Sequence, residues 1–245
     1  MKREPLLNPE HSESCKAAFE NEIKENKDQI ESRSAEVKRW DMVYAFLFNA
    51  QLHYAIYKYS AGDDIPGLLP LVQNTTENFI AYRIHPTAKN TLMKDSFFVY
   101  QECLSILSLN ILIKSDAGLM AKLASAFDLL GKDMLIDRML SYVLPARKVS
   151  NKLLWPKPFE QIYTVFDAGE GDRPMIISEY LADWYKGMRK APWYNSHKNT
   201  ENECAFYGYW SFESAAAVCL LNMDDTLFKD KLFYPKDFVD FNRNL

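Results

Sequence analysis

His197 and Glu201 are the two side chains whose types and spacing come closest to a metal site. Four residues apart, they would share one face of a helix, where a histidine and a carboxylate can both bind zinc. The chain has no H-E-x-x-H motif, and the sequence names no third ligand. A metal-dependent hydrolase that uses these two residues is therefore an alternative hypothesis. A catalytic pair of Cys204 with His197 has only proximity along the chain to support it.

Motifs of other catalytic and nucleotide-binding sites are absent from the sequence. It contains no G-x-S-x-G, no P-loop and no G-x-G-x-x-G run. Gly169 and Gly171 are followed by no phosphate-loop signature, and Ser211 lacks the surroundings of a nucleophile elbow. The sequence thus predicts no catalytic residue, no bound metal and no cofactor, and we interpret the chain as a binding protein rather than an enzyme.

Carboxylates gather in a second stretch, which begins in a glycine-bearing loop and continues along a predicted helix. Glu179 and Asp183 are four residues apart, so they share a face of that helix. Two interpretations stay open. The face is solvated, with Lys186 and Arg189 as neighbours, or it docks a basic partner whose association is steered by complementary charge. The acidic residues of this stretch are Asp167, Glu170, Asp172, Glu179 and Asp183.

Helices must position these groups, because apolar residues recur at helical spacing and no stretch alternates over the length of a strand. Glycine is scarce, at 8 of 245 residues, which argues against a loop-rich β fold. The sequence predicts an all-α fold, an antiparallel helical bundle with short loops. The predicted helices include residues 9–33, 35–60, 92–113, 132–144, 159–166 and 174–188.

A shift towards Trp, Tyr and Pro after residue 130 predicts two helical domains, over residues 1–130 and 131–245. With a net charge of −4, neither half has the bulk charge of a nucleic-acid binder. No run reaches about 18 apolar residues, and the N-terminus lacks the apolar segment of a signal peptide. We therefore expect a cytoplasmic protein without a membrane span. Its cysteines are interpreted as buried free thiols in a reducing compartment. They are Cys15, Cys103, Cys204 and Cys219.

Residues 207–221 (YGYWSFESAAAVCLL) are the stretch around which the C-terminal part is organised. Its alanine-rich portion is too apolar to be solvated on any face, which predicts a helix through the core. Glu213 lies near the start of this helix, where the helix dipole favours a carboxylate, but a buried carboxylate needs a partner. Glu213 has either a chemical or an architectural role, and we interpret it as structural.

The C-terminal part also resembles the PoNi family of bacterial immunity proteins. The resemblance lies in residues 180–185 (YLADWY), 193–197 (WYNSH), 207–216 (YGYWSFESAA), 223–225 (MDD) and 233–237 (FYPKD). The N-terminal half is similar only in its general helical character. In a PoNi-like C-terminal domain the motif residues would be structural and would leave partner specificity to the variable surface. These residues are Tyr207, Gly208, Tyr209, Trp210, Phe212 and Glu213.

The resemblance implies a cytoplasmic antidote that is not itself an enzyme. Such proteins bind the nuclease domain of a PoNe-type DNase toxin, which is delivered between bacteria by a contact-dependent secretion system. A DNase presents a basic surface to phosphate, so our hypothesis is that the five carboxylates at positions 167, 170, 172, 179 and 183 mimic the DNA backbone. Steric blockade away from the nuclease centre is the competing mechanism.

The sequence also leads to expectations about partners other than a toxin. No direct nucleic-acid partner and no membrane partner is expected. A homodimer stays open, because an apolar surface patch would serve self-association or partner binding equally. A helical scaffold or adaptor without a toxin partner is a third hypothesis beside the immunity protein and the hydrolase.

Overall fold

The computed structural model describes residues 2–32, 37–199 and 201–245 of the chain. These residues form ten α-helices and three short 3₁₀ helices, and none of them lies in a β-strand. The predicted all-α fold is therefore confirmed. No helix within these ranges is long and apolar enough to cross a membrane. The predicted helices over residues 9–33 and 35–60 include positions 33, 35 and 36, which lie outside the described residues.

Two compact units divide the chain, and each is made of two separate stretches. The first unit comprises Met1–Asn90 and Asn195–Gly208, and the second comprises Thr91–Tyr194 and Tyr209–Leu245. The sequence-based division gives each domain one continuous stretch of chain, and its boundary at residue 130 stays a prediction.

Three long helices make up most of the first unit. They are α1 (Ser12–Ser32), α2 (Trp40–Ala61) and α3 (Ile65–Ile84). The middle helix, α2, packs against both others and buries residues on most sides, because it is apolar or aromatic around most of its circumference. Its Phe48 ring meets the Phe79 ring of α3 edge to face, 5.0 Å away. Gly62 ends α2 in the left-handed conformation (φ 104°) that glycine adopts without steric cost.

Residues 195–208, which we call the strap, belong to the first unit and are fastened there by several contacts. Cys204 forms a disulfide with Cys15 of α1, with the two Cα atoms 5.1 Å apart. The Tyr207 ring stacks on the His53 ring of α2 at a centroid distance of 4.1 Å. Ser60 Oγ also donates a hydrogen bond of 2.8 Å to the Tyr207 carbonyl. A covalent bond, a ring contact and a hydrogen bond thus hold the strap.

The disulfide corrects the interpretation of all four cysteines as free thiols. Cys103 and Cys219 are free, but Cys15 and Cys204 are joined. The joined cysteines are 189 residues apart in the sequence, so local spacing of the kind seen in a C-x-x-C motif could not indicate the pair. Disulfides are rare in a reducing cytoplasm. The cysteines therefore give no support to a cytoplasmic location, and that location stays a prediction.

Seven helices form the second unit. They are α4 (Phe97–Leu112), α5 (Ala117–Asp128), α6 (Met134–Val143), α7 (Pro156–Thr164), α8 (Arg173–Gly187), α9 (Phe212–Leu220) and α10 (Lys236–Arg243). The alanine-rich α9 packs against α4, α6 and α10. Its Ala215, Ala216 and Ala217 have no exposed surface. Small side chains let neighbouring backbones approach closely, and alanine has the highest helix propensity.

A buried aspartate fixes the start of α6 and the connector that follows this helix. Asp133 accepts hydrogen bonds from the Leu135 and Ile136 backbone N–H groups, as an N-cap residue does. The same carboxylate accepts from Tyr100 Oη at 3.0 Å and from the Leu154 backbone N–H at 2.7 Å. Asp133 therefore ties α4, α6 and the connector together. This connector leads into α7, which packs against α8.

Candidate functional site

The alternative metal site at His197 and Glu201 depends on a helix that the structure does not contain. His197 lies in a short 3₁₀ helix, Ser196–Lys198, and Glu201 follows its end. The premise that four-residue spacing places both side chains on one helical face is therefore wrong. Among the described residues, no group of three or more His, Cys, Asp or Glu side chains could hold a metal ion. The idea of a Cys204–His197 catalytic pair is also wrong, because Cys204 Sγ is bonded to Cys15.

The carboxylate-rich stretch runs from the loop before α8 onto the outer face of this helix. Pro174 fits the first turn of this helix, where its missing N–H has no intrahelical partner to lose. Ile177, Leu181 and Trp184 are buried on the inner face. Residues 172, 175, 179, 182, 183 and 186 are exposed at helical spacing on the opposite face. One amphipathic helix thus separates a core face from a solvent face that carries several of the predicted contact residues.

We call Glu170, Asp172, Glu179 and Asp183 the acidic face, because all of them are exposed and lie on α8 or just before it. Glu179 accepts a hydrogen bond of 3.3 Å from Gln161. None of the four makes an ion pair with any described residue. Lys186 and Arg189, the predicted neighbours of these acids, form no ion pair with them within residues 37–199. The acidic face therefore keeps its negative charge available to solvent or to a partner.

Asp167 differs from the acidic face in having a cationic partner. Arg138 Nη2 of α6 donates to Asp167 Oδ1 at 2.7 Å and to Tyr163 Oη at 3.2 Å. This ion pair offsets the charge of Asp167 and holds its carboxylate close to α6 and α7. Of the five carboxylates predicted from the sequence, Asp167 is thus the least free to meet a partner.

Glu213 lies behind the acidic face, on the inner side of α8. Its Oε1 accepts hydrogen bonds from Tyr180 Oη at 2.8 Å, from Trp184 Nε1 at 2.6 Å and from Ser211 Oγ at 2.8 Å. The residue is 6% exposed, and this burial raises its pKa although the three donors act in the opposite direction. Two of the donors belong to α8, so Glu213 of α9 fixes the helix that presents the acidic face.

The raised pKa of Glu213 predicts a pH dependence of stability with a definite sign. Between the pKa of an unfolded glutamate, about 4.3, and the raised folded value, the folded chain binds more protons than the unfolded chain. The free energy of unfolding should therefore fall as pH rises through this window. Glu213→Gln should remove this part of the slope, which chemical denaturation of both proteins at a series of pH values would measure. Parallel curves for the two proteins would contradict the assignment.

Aromatic side chains of the family-like runs cluster around the C-terminal end of α8. Trp184 stacks on Trp193 at 5.6 Å, and Tyr185 stacks on Tyr194 at 4.6 Å and on Phe233 at 5.5 Å. Such ring pairs add about 0.5–1.5 kcal/mol each beyond the area they bury. The family-like runs at residues 180–185, 193–197 and 233–237 thus meet in one aromatic cluster that supports α8.

The remaining motif residues lie on both sides of the point where the chain passes between the units. Tyr207 and Gly208 belong to the first unit, and Gly208 adopts a positive φ of 113°. Tyr209 is buried in the second unit and packs on Trp193 at 5.4 Å, whereas Trp210 is half-buried. Phe212 is also buried, against Phe238 of α10.

Comparisons with known proteins match almost the whole chain. The family described as "PoNe immunity protein (PoNi), N-terminal" matches residues 3–125, and the family described as "PoNe immunity proteins (PoNi), C-terminal" matches residues 131–238. No curated protein gives a match. Among solved structures, protein PA2201 from Pseudomonas aeruginosa is similar at 17% identity and a TM-score of 0.78. That similarity covers 100% of this chain and 92% of PA2201, and it shows a shared fold.

The N-terminal and the C-terminal family models therefore both match, and they do so in that order along the chain. Only residues 126–130 lie between the two matches, and the C-terminal match includes the strap, the acidic face and Glu213. The chain belongs to the PoNe immunity protein (PoNi) family and is an immunity protein that neutralises a PoNe nuclease toxin.

Proposed function

We propose that this immunity protein neutralises its toxin by direct, non-enzymatic binding to the nuclease domain, and that the acidic face takes part in the contact. The observation that carries the proposal is a set of four exposed carboxylates on and beside one helix, none of them in an ion pair with a described residue. The toxin is proposed to be a DNase delivered between bacteria by contact-dependent secretion, as the family resemblance implies.

Complementary charge gives the acidic face a physical role. A DNase needs basic side chains to hold the phosphate backbone, and these side chains are a favourable target for carboxylates at a helix surface. Opposite charges on two proteins accelerate encounter and fix their orientation more than they add affinity. The four carboxylates occupy a stretch from position 170 to position 183, so they present an extended row of charge rather than a point.

The helix that carries the acidic face is held in place before a partner arrives. Its inner side is buried through Ile177, Leu181 and Trp184, and Glu213 accepts hydrogen bonds from two of its side chains. A surface on a fixed helix loses less conformational freedom on binding than a surface on a loop. This supports a preformed contact surface at α8.

Charge reversal tests the proposed contact. In a variant with Glu170→Lys, Asp172→Lys, Glu179→Lys and Asp183→Lys, we expect the Kd for the PoNe nuclease domain to rise about 10- to 100-fold, because attraction becomes repulsion. Calorimetry or surface plasmon resonance at two salt concentrations would measure it. The matched control reverses exposed acids of α1: Glu22→Lys, Glu25→Lys, Asp28→Lys and Glu31→Lys. Equal affinity of the two variants would remove the acidic face from the interface.

Competition with DNA separates phosphate mimicry from steric blockade. If the acidic face occupies the DNA-binding surface of the nuclease, duplex DNA and the immunity protein should exclude each other from a catalytically inactive nuclease domain. Raising the DNA concentration should then increase the apparent Kd of the immunity protein in proportion. A ternary complex with DNA would instead establish blockade away from the DNA-binding surface.

A further inference from the structure

We propose that a groove between α7 and α8, beside the acidic face, binds a carboxylate-rich segment of the same toxin. This inference rests on the proposed binding of the nuclease domain and adds a second contact of opposite charge. We call it the cationic groove and define it by four cations on its rim, Lys157, Lys186, Arg189 and Lys190. Its volume is about 620 Å³, and it lies within the second unit.

Close packing of two elements forms the walls of the groove. A Cβ atom added at Gly187 would lie 2.7 Å from Pro158 Cβ, so a larger residue at this position would force the end of α8 away from α7. Phe97, Tyr180 and Trp184 contribute buried aromatic surface to the lining. Tyr180 and Trp184 are also the two α8 side chains that donate to Glu213. The hydrogen bonds to the buried Glu213 carboxylate thus fix part of the groove.

The charge of the groove is opposite to that of the whole chain. Four exposed cations line it against two carboxylates, Glu160 and Asp183, although the chain as a whole carries a net charge of −4. Within the described ranges, none of the four cations forms an ion pair. Lys190 Nζ lies over the Trp155 ring, at 5.6 Å from its centroid. The groove therefore offers cations whose charge the protein does not itself neutralise.

The acidic face beside the groove limits which anions can bind there. Asp183 belongs to both surfaces, and Glu179 lies one helical turn before it. A continuous polyanion such as nucleic acid would be repelled where it passed these carboxylates. A folded protein can place an acidic segment in the groove and a basic surface against the acidic face. The ligand of the groove is therefore a segment of the protein partner that carries Asp and Glu side chains.

Two adjacent surfaces of opposite sign would give the complex one orientation. A toxin turned by half a turn would place like charges together at both surfaces, and such juxtapositions are costly. A related toxin that lacks the acidic segment would leave the cations without partners and would bind less tightly. The cationic groove would thus distinguish the cognate toxin from other nucleases that share a basic DNA-binding surface.

Charge reversal in the groove tests the inference. The variants are made in the whole chain, and the PoNe nuclease domain is the binding partner that is measured. We expect the triple variant Lys186→Glu, Arg189→Glu and Lys190→Glu to bind about 10- to 100-fold more weakly than the unchanged chain. The matched control reverses three exposed lysines of other helices, Lys24→Glu, Lys27→Glu and Lys122→Glu, and it should keep its affinity within about threefold. Thermal unfolding of both variants would establish that they are folded.

The possible outcomes separate this inference from the proposed function. If the unchanged chain and the groove variant bind the nuclease domain equally, the inference fails while direct binding stands. If the unchanged chain does not bind the nuclease domain, both proposals fail. Binding of a 12-nucleotide single-stranded DNA to the unchanged chain, lost in the groove variant, would also overturn the inference by assigning the groove to nucleic acid.

Discussion

Glu213→Ala is expected to lower the free energy of unfolding by about 3–5 kcal/mol. The substitution removes the acceptor of three hydrogen bonds, from Tyr180, Trp184 and Ser211, and leaves these donors in the core. Each buried donor without an acceptor costs about 1–3 kcal/mol, and the smaller side chain leaves a cavity as well. Urea unfolding monitored by tryptophan fluorescence would measure the loss, because Trp184 lies at the altered site.

A substitution on the exposed side of α8, the helix that Glu213 supports, is the control for this prediction. Glu179 is exposed on α8 and accepts one hydrogen bond, so Glu179→Ala should change the free energy of unfolding by less than about 0.5 kcal/mol. Glu213→Ala should still bind the nuclease domain when it is folded, since its carboxylate is buried. Unchanged stability together with lost binding would show that Glu213 is a contact residue and not a structural one.

Cys15→Ser is expected to lower the free energy of unfolding by about 3–5 kcal/mol in the absence of reductant. The disulfide to Cys204 joins residues 189 positions apart, so it removes a large part of the freedom of the unfolded chain. Without it, the strap would depend on weaker contacts such as the stacking of Tyr207 on His53 and the hydrogen bond from Ser60. Denaturant unfolding of both proteins would measure the difference.

Comparing stability with and without a reductant tests directly whether the disulfide is present. Adding dithiothreitol should lower the stability of the unchanged chain towards that of Cys15→Ser and should leave the variant itself unaffected. Cys219→Ser, which removes a free thiol, should respond to reductant as the unchanged chain does. Thiol titration of the denatured, unreduced chain should find two reactive groups per molecule. Four reactive groups would contradict the bond between Cys15 and Cys204.

Local sequence signals located the helices because those signals act within a few residues of one another. The helix predicted over residues 174–188 is α8, Arg173–Gly187, since Pro174 and the apolar spacing define it. The helix predicted over residues 159–166 is α7, Pro156–Thr164, in which Lys157 has non-helical backbone angles, so its regular part begins close to the predicted start. The exposure of Glu179 and Asp183 on one face follows from the same periodicity.

Contacts between distant residues could not be predicted in this way. The partners of Glu213 on α8 are 33 and 29 positions away in the sequence, and spacing along the chain carries no information about such pairs. Spacing along the chain likewise carries no information about the disulfide or about the contacts of the strap. The groove was missed because Lys186 and Arg189 were interpreted only as neighbours of the acidic residues on a solvated face, whereas Lys157 comes from another helix. The excess of cations near the end of α8 was the signal that could have indicated the groove.

Co-expression with a PoNe nuclease domain tests most directly whether the protein neutralises its toxin by binding. The PoNe nuclease domain would be produced in cells with the unchanged chain, with the acidic-face variant or with the α1 control. We expect survival and a stoichiometric complex for the unchanged chain and the control. For the acidic-face variant we expect weaker protection and a weaker complex. Survival without any complex, or full protection by the acidic-face variant, would contradict this expectation.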